Sequence, residues 1–450
     1  MTDTVKYETR RMRLADRYLA FLAIVLLGYA LLGKGFAYLG FPPLYIGEIA
    51  LLAGIVVFVS SGAWIGSFAT FPSLVLVTAM TWVAMRTVPF LGVHGIDALR
   101  DAVIILYGGF AFVVIALVLE DARRIDTVIR YYGSFLLSFP AIPLAFWLTR
   151  YWGDYLPRYG PNVPIVEIGA SAVGTHLAGA AVFVLVGYRK VSWLWTATWF
   201  GTLAMIAATN RGATTAVLLA VAFALVMLGK LRLMLAITGA GLGIFAGLLA
   251  LEAAVFEYDE VTDSADRPVS AHQILENARS IVGESGQQTE GTKQWRLDWW
   301  DVILTDTLHG PNFWTGRGFG LNLAVADGFV ETGDPSNPRP LTRSPHNAHM
   351  TVLARSGVPG IVLWSLVLLS WAGMMLHAML VARSRGHKQW SNLFLWVFCY
   401  ATAIAINATF DVALEGPMQG IWFWSLIGLG IGTVMVYRAQ PPAYIESSGR

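Results

Sequence analysis

The chain has 450 residues, of which 56% are apolar and 13% charged, against roughly 45–50% and about 25% in a soluble globular domain. That composition excludes a soluble protein. A formal net charge of +2, from 31 Lys+Arg against 29 Asp+Glu, points to no nucleic-acid partner, and the single Cys399 excludes an internal disulfide.

The first seventeen residues carry Lys6, Arg10, Arg11, Arg13 and Arg17 ahead of the apolar stretch 18–32, with no small-residue cleavage site behind it. This predicts an uncleaved first span and not a signal peptide. Further apolar runs lie at about 44–60, 71–86, 102–119, 131–149, 169–187, 192–209, 212–229, 233–251, 358–381, 392–410 and 418–437, which makes twelve candidate helices. Residues 191–229 would be about 58 Å long as one helix, at about 1.5 Å per residue. That is twice a hydrocarbon layer of about 30 Å, so the chain is expected to reverse near Asn210.

Short cytoplasmic loops retain Lys and Arg. With the N-terminus inside, the inner segments hold Arg123, Arg124 and Arg130; Arg189 and Lys190; Lys230 and Arg232; Arg383, Arg385 and Lys388; and Arg438 and Arg450. Together with the N-terminal five they account for 17 of the 31 basic residues. Both termini are therefore expected to be cytoplasmic. The one long polar segment, 252–345, falls outside. Its runs 272–283 and 293–308 read as surface helices lying on the outer leaflet or against the bundle, and Gly316, Gly318 and Gly320 follow in a turning loop. Three regions are expected: helices one to nine over 1–251, the extracytoplasmic loop over 252–345, and a short helix with the last three spans over 346–450.

Arg211 follows Asn210, a good N-cap, at the start of the eighth helix. Free backbone donors, the helix dipole and a guanidinium fork would together suit a diphosphate; an arginine snorkelling to lipid phosphates would occupy the same place. Arg296 stands among Trp295, Trp299 and Trp300, residues that anchor a helix at headgroup depth. Arg343 could add a third positive charge at the same mouth. The stretch from Ser344 to Gly357 reads as a short helix with Ser344 as N-cap, Pro345 first, His346 second and Gly357 as its stop. At a helix N-terminus the dipole disfavours imidazolium, so His346 should stay neutral, as a general base must. His349 lies one turn on, but no third ligand stands at metal spacing, so no zinc site is expected. Glu257 and Asp259 are the nearest approach to a paired-acid metal motif, a spacing that arises easily by chance. Among the other ionisable residues near spans (Glu48, His94, Asp97, Arg100, Glu167, His176, Asp411 and Glu415), Asp411 and Glu415 rank first, on the outer turn before the last helix.

These patterns resemble the O-antigen ligase and O-antigen polymerase superfamily of bacterial polysaccharide membrane enzymes. Thr209-Asn210-Arg211-Gly212 is similar to its Ser/Thr-x-Arg-Gly turn. Trp295-Arg296 through Trp299, with His309-Gly310-Pro311 and then Gly316 to Gly320, is similar to its arginine-and-tryptophan helix and Gly-x-Gly segment. His346-Asn347 with Gly357-Val358-Pro359-Gly360 resembles its His-Asn hallmark and the start of the next span. Where relatives usually carry a glutamate before that glycine, this chain has Arg355-Ser356.

The resemblance implies an all-α integral membrane protein of about twelve transmembrane helices with one large extracytoplasmic loop, a GT-C-type glycosyltransferase bundle. It implies a donor glycan on polyprenyl (undecaprenyl) diphosphate and a lipid- or glycan-linked acceptor such as lipid A-core oligosaccharide. The implied setting is the bacterial inner membrane, among its lipids, with the active site on the periplasmic side. The expected reaction is inverting and uses no metal or other cofactor. His346 would act as base, Arg211, Arg296 and Arg343 would bind diphosphate, and Asn210, Asn347 and Asp411 would support them. A polymerase of the same superfamily is the alternative; a glycolipid or anion transporter is the alternative from another class.

Overall fold

The structure of the protein, a computed structural model, describes residues 2–159, 163–255, 270–282, 287–329 and 342–439. All twelve apolar runs are helical. They form α1 (Thr2–Leu32), α2 (Ile46–Ser60), α3 (Phe71–Thr87), the pair α4 (Ile96–Leu106) and α5 (Gly109–Glu120), the pair α6 (Arg124–Ser138) and α7 (Ala141–Trp152), α8 (Ala170–Leu185), α9 (Trp193–Thr209), α10 (Arg211–Met227) and α11 (Leu231–Val255). The long polar segment contributes α12 (Ala271–Val282) and α13 (Gln287–Leu304), and the chain ends in α14 (Ala348–Ser384), α15 (Lys388–Asn407) and α16 (Pro417–Ala439). Two-residue hairpin strands at Gly40–Phe41 with Leu44–Tyr45, and at Arg158–Tyr159 with Val163–Pro164, are the strands among the described residues.

Among the described residues six helices can cross a membrane by length and composition, and eight spans result if each bent pair counts as one. The pairs α4/α5 and α6/α7 bend by 41° and 50°, where the sequence reading has two straight runs. In α6/α7 the cause is Pro140, which lacks the N–H a continuous helix needs. The shorter apolar helices α2, α8 and α10 complete an all-helical, multi-pass membrane protein.

Lipid tails are as apolar as leucine, so membrane helices associate through close packing and interhelical hydrogen bonds more than through hydrophobic burial. Small residues provide the approach. A Cβ on Gly428 of α16 would lie 2.4 Å from the Ala111 carbonyl oxygen of α5, and one on Gly174 of α8 would lie 2.7 Å from Cβ of Ala213 on α10. Buried indoles supply cross-helix bonds, Trp424 Nε1 donating to Ile104 O (3.1 Å) and Trp396 Nε1 to Gly179 O (3.2 Å). From Phe110 to Val118 every residue of α5 is buried, as expected of a helix that is apolar all round.

Both helices of the polar segment pack on this bundle. Asn277 of α12 donates from Nδ2 to Ala207 O and Ala208 O (2.9 and 2.8 Å), capping the end of α9, and Glu252 accepts from the amides of Ala271 and His272 (2.7 and 2.9 Å). Trp299 and Ile303 of α13 join Leu323, Ala324, Leu353 and Ala354 in a second, smaller core. Trp299 also stacks on Phe329 at 5.3 Å.

Candidate active site

The helix carrying the His-Asn pair starts three residues later than the sequence suggests. Asn347, in an extended conformation, caps α14 by accepting from the amides of His349 and Met350 (2.9 and 3.2 Å). Ser344 is buried ahead of the helix. The reason lies at His346, whose φ of 51° places it in the left-handed region, where an α-helix cannot continue. Gly357 does interrupt α14, at φ 70° and ψ −171°.

Four elements converge on the turn between α15 and α16. Ala348 donates its amide to Ala408 O (2.8 Å), and Arg296 of α13 donates from Nη1 to Phe410 O (3.1 Å). Gly212 lies so close to Phe410 that a Cβ on it would sit 2.6 Å from the Phe410 Cβ, which brings the N-terminus of α10 to the same turn. Arg211 is the first residue of that helix, and Asn210 caps it by accepting from Ala213 N at 2.9 Å. The fourth element is the His346 segment, held from α13 by Trp300 Nε1 donating to Pro345 O (2.9 Å).

His346 Nδ1 stands 4.0 Å from Asp411 Oδ1, with a third of its side chain exposed, and its ring lies 6.3 Å from that of Trp295. Burial and the neighbouring Arg296 charge hold the imidazole below the ordinary histidine range, with Asp411 opposing. Its neutrality near pH 7 thus has a different cause from the helix dipole inferred from the sequence. Arg296 is itself pushed down by burial, with Asp411 opposing, yet an arginine stays charged. Its buried Nε has no hydrogen-bond partner among the described residues. A neutral imidazole, a guanidinium and a carboxylate beside a half-buried helix N-terminus can take a proton and stabilise a developing phosphate charge.

Arg343 belongs to a second cluster. It bonds Gly320 O at 3.0 Å and pairs with Asp97 and Asp101, each at 3.5 Å. Asp101, 9% exposed, is the centre of this cluster, accepting from Gly320 N (2.8 Å) and pairing with the buried Arg355 (2.9 Å). The sequence reading missed Asp101 and Arg355, although the i,i+4 spacing of Asp97 and Asp101 places both on one face of α4. It missed Arg317 as well, which binds Asp306 at 2.7 Å and also Asp327. Asp327 accepts from Trp299 Nε1 (2.7 Å) and so fixes the tryptophan helix. Glu415, ranked with Asp411, accepts from Thr351 Oγ1 at 2.7 Å, and His349 accepts from Trp364 Nε1 at 2.9 Å. Glu257 and Asp259 lie outside the described residues. Among the described residues no three His, Cys, Asp or Glu side chains gather as a metal site would require.

The family described as O-antigen ligase matches residues 196–365, a stretch that includes Arg211, Arg296, Arg343 and His346 and stops short of Asp411. A search of curated proteins found no match. Over residues 196–365 this multi-pass helical membrane protein therefore carries a domain of the O-antigen ligase and O-antigen polymerase superfamily.

Proposed function

We propose that the protein is an inverting glycosyltransferase of the O-antigen ligase kind. It moves a glycan from a polyprenyl diphosphate in the outer leaflet of the cytoplasmic membrane onto an acceptor hydroxyl, such as one on lipid A-core oligosaccharide. The observation that carries this reading is the meeting of His346, Arg296 and Asp411 beside the α10 N-terminus inside and next to the family-matched stretch.

The acceptor oxygen attacks the anomeric carbon from the face opposite the diphosphate, the carbon–oxygen bond to the diphosphate breaks, and His346 takes the hydroxyl proton. Arg211, Arg296 and the α10 N-terminus receive the departing charge. A diphosphate leaving group needs charge stabilisation more than protonation, and two guanidiniums supply it without a divalent ion. Asn210 and Asn347 act through the helix starts they cap, and Asp411 by steadying His346. Arg343 pairs with Asp97 and Asp101, and in this reading it supports the frame of the site more than it grips the diphosphate. The proposal includes about twelve crossings in a GT-C-type bundle, the division at 1–251, 252–345 and 346–450, cytoplasmic termini, and a periplasmic site.

The glycan profile of a deletion strain tests the reading. Long lipid-linked chains that accumulate without reaching their acceptor are expected of a ligase, and single repeat units on the acceptor would assign a polymerase. An unchanged profile would overturn both and favour a transporter. Activity of the purified protein should survive EDTA; loss restored by one divalent ion would overturn the metal-independent mechanism.

A further inference from the structure

Away from the His346 turn, an apolar cleft of about 680 Å³ lies between α1 and α6, floored by Tyr132, Phe135, Trp396 and Trp422. Its rim residues Ile24 and Leu137 are 62% and 69% exposed, so it opens sideways, toward hydrocarbon. At one end it runs into a polar depression that shares Leu19 and Tyr131 with it and is bordered by Asp16, Asp121, Arg123, Arg124 and Thr127.

Packing along α16 locates that polar end. Gly47 touches Tyr29 and Pro417, at the level of the active-site turn, whereas Gly432 touches Val118, six residues before Arg124. Pro417 and Gly432 are about 22 Å apart at about 1.5 Å per helical residue. The polar depression thus lies across the bundle from His346, and a diphosphate bound at Arg211 and Arg296 cannot also reach it.

The charges at this end differ in availability. Arg124 is buried and engaged with Asp16 and Glu120 (both 2.8 Å). Arg123, 80% exposed, grips Asp121 through Nε and Nη2, which leaves Nη1 uncommitted among the described residues; Asp16 is 60% exposed. One accessible cation and one accessible anion border the same depression, above a trough that would forfeit dispersion contacts if left empty.

We propose that this slot binds a glycerophospholipid with a zwitterionic, ammonium-bearing headgroup, in the leaflet opposite the active site and separate from the polyprenyl donor. Its acyl chains fill the cleft, its phosphate meets Arg123 and its ammonium meets Asp16. The matched charges favour this occupant over an anionic lipid, and the charged end favours it over a polyprenyl tail, whose own diphosphate is held at the His346 turn and so has no group to place between Arg123 and Asp16.

The full-length protein in phosphatidylglycerol vesicles containing a trace of phosphatidylethanolamine with a diazirine in one acyl chain is illuminated, and the adducts are mapped by peptide mass spectrometry. Adducts are expected on 19–27 of α1 and 131–138 of α6, above those on the exposed Leu242 and Ile244 of α11. Equally tagged phosphatidylglycerol and polyprenyl phosphate should label these segments less. Arg123→Glu should reduce labelling roughly tenfold, the effect of losing one hydrogen bond to a charged group, and Ala23→Trp should reduce it by filling the trough. Arg123→Glu changes an exposed side chain, so it remains informative if the tryptophan variant fails to fold. Labelling no greater than on α11, preference for the polyprenyl probe, or unchanged labelling in a monodisperse Arg123→Glu protein would each overturn the proposal.

Discussion

At His346 the backbone and the electrostatics act together. Its left-handed φ removes it from the helix, so its ring faces the turn carrying Asp411, and burial with the Arg296 charge keeps it neutral. His346→Ala should abolish transfer while donor binding survives, because the lost group acts on the acceptor's proton; removing general-base catalysis costs roughly 10²- to 10⁴-fold. His349→Ala should cost far less, since that ring is engaged by Trp364 Nε1 and has no role in the proposed transfer. Transfer by the purified variants decides this, and an active His346→Ala protein would refute the assignment. The pH sign follows from the same contacts. The active form is the unprotonated imidazole with a depressed pKa, so activity should hold across neutral pH and fall only below the ordinary histidine value of about 6.5. Asp411→Asn removes the opposing negative charge and should move that acid limb to lower pH; a limb displaced upward would contradict the geometry. At the head of α10, Arg211→Lys keeps the charge but loses the planar fork, and most activity should go with it. Wild-type turnover in the lysine variant would mean that Arg211 does not grip a diphosphate.

The elements around the site are held by ion pairs that join distant parts of the chain. Asp101 on α4 ties Arg355 of α14, Arg343 and the Gly320 amide into one cluster. Gly316 completes the contact: at φ 60° it lies so close to α14 that a Cβ would sit 2.4 Å from the Arg355 carbonyl carbon. Asp101→Asn should destabilise the protein by roughly 3–5 kcal/mol, because it leaves the buried Arg355 without its carboxylate. Thermal unfolding of the detergent-solubilised protein measures the loss. Combining it with Arg355→Met should recover much of the stability, since removing both members of a buried pair is often near neutral. A double variant as unstable as the single one would place Asp101's contribution in its contact with Gly320.

For the whole molecule, orientation governs which face carries the site. Cysteines introduced at Lys190 and Arg385 should resist a membrane-impermeant reagent in intact cells, and one at Ser270 should react. The native Cys399 is buried and is replaced by alanine as a precaution. Labelling at the first two positions would invert the topology and move the His346 turn to the cytoplasmic face.

Composition and period sufficed for the membrane class and for the twelve helical runs, because the hydrocarbon layer demands long apolar stretches whatever the tertiary arrangement. The local motifs were legible for a related reason: Asn210 caps its helix with its own side chain, and Gly357 breaks one through its own φ. The start of α14 was not legible. Ser344 and Asn347 are comparable caps; the left-handed φ of His346 decides between them, and the Ala348 amide that follows is bound by Ala408 O, sixty residues further on. The bends of the two helix pairs, the pairing of Arg343 with Asp97 and Asp101, and the roles of Asp101 and Arg355 likewise depend on partners remote in sequence. A residue's own neighbours along the chain determine propensity and capping, whereas the partner of a buried charge is chosen by how the helices pack.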